Sequence, residues 1–154
     1  MNTASELWIA GKIARDIIFR GMRIDNSQWV YGYLTHTNKK MNPCIHITVV
    51  EVYEVYPETV GQYTGLQDMK GKYIYEGDIL SGWKKGSNSD MGYTGIIQWR
   101  HEQAGWIIKC HKYVMEILSL AQSGWANEPY NIHQLDSFQV IGNIFENLEI
   151  YTKS

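Results

Sequence analysis

The side chains in this chain that can do chemistry fall into a few small groups. Cys44 with His46, and Cys110 with His111, carry the sulfur and nitrogen donors that zinc favours. Their spacings match no zinc knuckle or ribbon, and strand alternation sends neighbours such as Cys110 and His111 to opposite faces. No metal site is expected, and both thiols read as reduced and packed. Glu51 with Glu54, and Glu76 with Asp78, bring carboxylates close together, and His101 beside Glu102 is a pair able to pass a proton. Carboxylates this near in sequence ordinarily brace turns or sit on wet strand faces. No GxSxG elbow, P-loop, GxGxxG or HExxH motif gives any of them a role. The expectation is a protein without enzymatic activity and without a cofactor.

The richest group points to binding. Arg20, Arg23, Trp29, Tyr31 and Tyr33 share one short stretch, and alternation along a regular strand puts Trp29, Tyr31 and Tyr33 on a common face. An aromatic ladder with arginines nearby can stack nucleobases and neutralise phosphates. The same residue types also build β-barrel cores and subunit interfaces. Lys84 and Lys85, in a Gly/Ser loop, form a second cationic patch, either simply solvated or touching a nucleic-acid backbone. Against 3 Phe the chain has 11 Tyr and 6 Trp, a surplus of rings with one polar handle that suits interfaces. A homo-oligomer is therefore the leading expectation, with a nucleotide or single-stranded nucleic acid as the alternative partner. The net charge of −2 supplies no global basic field for a polyphosphate.

These residues need a scaffold, and 154 residues suffice for one domain that folds without a metal or disulfide staple. Apolar residues at 44% and charged residues at 19% argue against a disordered chain or a coiled coil. No apolar run approaches the ~20 residues needed to cross a bilayer, and Leu7 to Ala10 is too short for a secretory signal. A cytosolic setting without membrane contact is expected.

Residues 1–17 read as a helical or loosely ordered leader, with Ser5 as a cap. From Ile17 onward, short β-like runs alternate with turn clusters such as Asp25-Asn26-Ser27. Ile45 to Tyr56 is the clearest strand signal. Glu51 and Glu54 would fall on opposite faces of a regular strand, so a bulge or mid-run turn is expected there. Pro57 ends the run. Thr94–Arg100 and Gly105–Lys109 form a hairpin carrying Trp99 and Trp106. Tyr113–Ala121 reads as a helix with Val114, Ile117, Leu118 and Ala121 on one face, a further strand being the competing reading. Ser137–Ile144 is a final strand. The fold class is mainly β: a small, strongly bent SH3-like barrel with one or two short helices. Residues 18–151 form a single β-rich domain with a sub-boundary near 57–72.

Three segments resemble the YopX-like family of bacteriophage and prophage proteins. They are Phe19-Arg20-Gly21-Met22-Arg23-Ile24-Asp25-Asn26 with Trp29 to Leu34; Pro57 to Leu66 with Gly71-Lys72 and Ile74 to Ile79; and Val140 to Asn147. The resemblance spans residues 18–150 and implies a β-rich, oligomeric protein carried by phages, acting in the cytoplasm of the bacterial host. It brings no catalytic residues. Within those segments Gly61, Gly65, Gly77 and Gly142 mark backbone positions that need positive φ or close packing, and Asp78 is an Asx-type turn brace.

Overall fold

The computed structural model describes residues 16–36, 42–83, 92–110, 114–116 and 138–153. The leader up to residue 15 and the Lys84-Lys85 patch lie outside the described residues. The architecture is mainly β: two strongly bent antiparallel sheets, neither closed into a barrel among the described residues.

In chain order the strands are β1 (Phe19–Met22), β2 (Trp29–His36), β3 (Pro43–His46), β4 (Val52–Glu54), β5 (Gly61–Gln67), β6 (Tyr73–Tyr75), β7 (Asp78–Trp83), β8 (Gly92–Arg100), β9 (Gly105–Cys110), β10 (Val114–Glu116) and β11 (Phe138–Asn143). Among the described residues one short helix, α1 (Leu148–Thr152), follows. The first sheet has the order β4-β3-β2-β1-β5-β6 and the second β10-β9-β8-β7-β11. The chain passes from one sheet to the other at Glu76-Gly77, beyond the 57–72 stretch, which stays within the first sheet and its flanks.

Local sequence accounts for most turns. Asn26 Oδ1 accepts the Gln28 N–H at 3.0 Å, closing the Asp25-Asn26-Ser27 turn between β1 and β2. The Ile45–Tyr56 run breaks after His46 and pairs back on itself as β3 and β4, so both glutamates stay exposed. Pro57 opens a 3-10 turn, whose Thr59 hydroxyl accepts the Met22 N–H at 2.9 Å. Between β8 and β9, Ala104 adopts a left-handed φ of 45° and lets Trp99 sit opposite Trp106. The helix expected over Tyr113–Ala121 is not seen where that stretch is described. Val114–Glu116 are instead strand β10, paired with Ile107–Lys109 of β9. The open ladder edge of β9 supplies hydrogen bonds that outweigh helical spacing over so short a run.

Two cores result. Ile74, Leu80, Ile97, Ile108, Phe138 and Val140 centre the one associated with the second sheet, while Val30, Ile45 and Val55 centre the other. Asp68 ties the sheets together. Its Oδ1 accepts the Lys70 and Lys72 N–H groups at 2.8 and 2.9 Å, and its Oδ2 accepts the Val140 N–H at 3.0 Å. A bulge in β11 between Val140 and Gly142 interrupts the ladder beside that contact.

Candidate functional site

Strand pairing determines which residues share a face. In the β1–β2 register Arg20 lies opposite Tyr31, and Met22 opposite Trp29. Arg20 also lies opposite Gly61 of β5, and Tyr63 opposite Tyr75 of β6. One face of the first sheet therefore carries Trp29, Tyr31 and Tyr33 with Arg20, Tyr63, Tyr73 and Tyr75. Val30 and Phe19 point to the opposite face, into the smaller core.

At the centre, Arg20 Nη1 lies 2.6 Å from Asp78 Oδ1, with only 6% and 1% of the two residues exposed. Arg20 Nη2 donates to the Glu76 carbonyl at 3.0 Å. The guanidinium carbon sits 4.8 Å from the Trp29 ring centre and 5.2 Å from that of Tyr75. Asp78 Oδ2 accepts the Tyr75 N–H at 2.8 Å, the local brace its place after Gly77 suggested. Burial pushes the Asp78 carboxyl above its ordinary value, against the pull of Arg20 and of that N–H. Both oxygens are engaged, so the pair is a bolt between the sheets.

Glycines make room for it. A side chain at Gly61 would lie 2.6 Å from the Glu76 carbonyl that Arg20 uses. Gly77 has φ +82°, and its added Cβ would meet the Phe145 ring at 3.2 Å. Gly77 N–H donates to the Ile97 carbonyl, and its own carbonyl accepts the Ile144 N–H, each at 2.9 Å. Gly142 lies against Asn147, and Gly65 takes φ +87° within β5. Beyond β11, Asn143 Oδ1 accepts the Phe145 and Glu146 N–H groups, folding a tight turn that sets Phe145 against Trp29.

Around the bolt opens a cleft of about 780 Å³ between β1, β2 and β6 on one side and β11 with its following turn on the other. The rings form a continuous row: Tyr73 stacks on Tyr63 at 4.6 Å, Tyr63 meets Tyr75 at 5.6 Å, and Tyr75 meets Tyr31 at 5.5 Å. Tyr31, Tyr33 and Tyr73 are 48, 67 and 40% exposed, while Tyr63 and Tyr75 are buried. Burial, with Tyr31 alongside, pushes the Tyr75 phenol up to about 12. Tyr31 is raised by burial as well, so these phenols stay neutral at physiological pH. Among the described residues the charged ones lining the cleft are Arg20, Lys72, Asp78 and Glu146, two of each sign. Such a site favours a planar or apolar occupant over a chain of phosphates.

Several sequence-predicted residues are placed apart. Arg20 lines the cleft but is committed to Asp78, so it is not a free cation for a phosphate. Arg23 is three residues further along and belongs to the other face. It lies 3.7 Å from the Tyr53 ring centre and pairs with the exposed Asp25. Glu76 and Asp78 diverge: Asp78 lines the aromatic cleft, while Glu76 lines a second one of about 590 Å³ with Trp99, His101 and Trp106. Cys44 and Cys110 are buried in different sheets, and burial raises both thiols. No group of three or more metal-ligating side chains converges among the described residues. Sequence reasoning did not single out Lys72, Tyr73, Tyr75, Asn143 or Glu146 for the site. The available signal was that Lys72, Tyr75, Asn143 and Glu146 fall in the second and third of the segments quoted above, and that all three segments meet at this cleft.

A family model described as YopX protein matches residues 18–150. The chain belongs to the YopX family. No curated protein matches this YopX-family chain. Among solved structures it is similar to the crystal structure of protein EF1440 from Enterococcus faecalis. That likeness has 17% identity and a TM-score of 0.49, covering 90% of this chain and 99% of the other. No helix among the described residues of the YopX-family chain is long and apolar enough to cross a membrane.

Proposed function

We propose that this YopX-family chain is a non-enzymatic, homo-oligomeric binding protein of a phage or prophage, working in the cytoplasm of the bacterial host. The observation that carries the reading is the half-exposed tyrosine row on a hydrogen-bonded sheet. Tyr31 and Tyr73 are held by ring neighbours, and with Tyr33 they keep large apolar areas in water. Aromatic area that is already ordered loses little entropy on contact, which is what a docking surface requires. The interior polar groups have structural duties: both Asp78 oxygens and the Asp68 carboxylate are spent on tying the sheets together. Light scattering on the full chain at micromolar concentration tests the reading. A dimer or larger species is the expected result, and a monomer across that range overturns it.

A second reading, nucleotide or single-stranded nucleic-acid binding, is favoured by the spacing of exposed rings beside Lys72. The balanced charge of the cleft restricts it to contacts with bases. Quenching of intrinsic fluorescence by nucleosides with little salt dependence supports this reading. Binding that depends steeply on salt, or no quenching, counts against it.

A further inference from the structure

We propose that the tip of the β3–β4 hairpin of one copy docks into the aromatic cleft of a second copy. The proposal rests on the homo-oligomer reading and names the surface responsible.

The tip is the segment Ile47-Thr48-Val49-Val50-Glu51. Val49 and Val50 are 96 and 86% exposed, and Ile47 and Val52 are partly exposed on either side. Isolated exposed valines are ordinary, but four neighbouring β-branched residues on one hairpin end form a patch that calls for cover. The tip is also ordered. The Ile47 N–H donates to the Glu51 carbonyl at 3.0 Å, and the Glu51 N–H donates to Thr48 Oγ1 at 3.1 Å. These two bonds close a five-residue loop and hold both valines outward. A loop fixed in this way gives up little freedom on docking.

Three features make a second copy the occupant. The tip begins at the residue after His46, which pairs with Tyr33 at the edge of the cleft. Tip and cleft are therefore neighbours on one chain, and a two-fold axis lets two copies cover each other reciprocally. The exposed rings at the cleft supply the apolar, aromatic area that valine side chains pack against. The charges also match: the tip ends in exposed Glu51, and exposed Lys72 lines the cleft. Glu146, which also lines the cleft, has Oε2 engaged with Asn143 Nδ2 at 2.6 Å.

The test is the mass of the full chain and its variants by light scattering over a micromolar concentration series, with unfolding curves run alongside. Val49→Glu with Val50→Glu should shift the dissociation midpoint upward by about tenfold or more, because two carboxylates would have to lose their water against the tyrosine rings. Unfolding of the monomer should be unchanged, since both positions are exposed. Glu51→Lys and Lys72→Glu should each weaken association by about two- to fivefold, and the two together should restore it. A wild-type monomer throughout would overturn both the proposal and the homo-oligomer reading beneath it. An unchanged oligomer in the valine double variant, or no recovery in the charge-reversed pair, would overturn the tip-to-cleft contact and leave self-association standing.

Discussion

Replacing Asp78 by Asn removes one charge from the centre of the molecule while keeping size and shape. The amide oxygen can still accept the Tyr75 N–H, so the change isolates the ion pair from the turn brace. Arg20 is 6% exposed and its Nε finds no acceptor among the described residues, so its charge has little access to water once Asp78 is neutral. Orphaning one member of a buried pair costs about 3–5 kcal/mol, against about 5–15 kcal/mol for the total stability of a domain. With a urea slope of about 2 kcal/mol/M, the unfolding midpoint should fall by about 1.5–2.5 M. Adding Arg20→Met should recover about 1–2 kcal/mol, because the uncompensated cation leaves with it. Equilibrium urea unfolding followed by tryptophan fluorescence reads both numbers. A midpoint shift below about 0.5 M for Asp78→Asn would show instead that the pair is solvated and dispensable.

Other outcomes follow from the same geometry. Burial works against the Asp68 carboxylate, but its three backbone N–H donors outweigh it and its pKa sits below the ordinary value of 3.8. Its contribution is therefore present above that value and lost as pH falls through the depressed one, so acid unfolding should be shallower in Asp68→Asn. Gly77→Ala should cost about 1–3 kcal/mol in thermal or urea unfolding, since φ +82° disfavours a side chain and Phe145 stands 3.2 Å from the new Cβ. Cys44 and Cys110, buried and with raised thiols, should react with a thiol reagent only upon unfolding, and rapid labelling of the native chain would contradict that.

Patterns with a short reach were legible in the sequence. The Trp99/Trp106 hairpin, the Asp25-Asn26-Ser27 turn and the break in the Ile45–Tyr56 run all follow from alternation and turn residues, and all are seen. The common face of Trp29, Tyr31 and Tyr33 was readable for the same reason. The grouping of Arg23 with Arg20 overlooked that three residues along a strand reverse the face. The role of Asp78 was half legible: the brace to Tyr75 spans three residues, whereas the bond to Arg20 spans 58, and no local signal encodes that partner. Asp68 is similar, a recognisable turn residue whose bond to Val140 depends on how the sheets meet. Val114–Glu116 went to a strand because the waiting edge of β9, a tertiary feature, decided between two periodicities.

The YopX-family chain thus uses its charges inside to lock two bent sheets together and its aromatic rings outside to present a fixed surface. Lys72 and Glu51 mark where that surface and the valine tip would register. Sedimentation velocity on the intact wild-type chain, from low to high micromolar concentration, tests this division most directly. The expected result is a concentration-dependent rise from monomer to a two-fold assembly, driven by apolar contact and only weakly affected by salt. A single monomeric boundary at every concentration would contradict it.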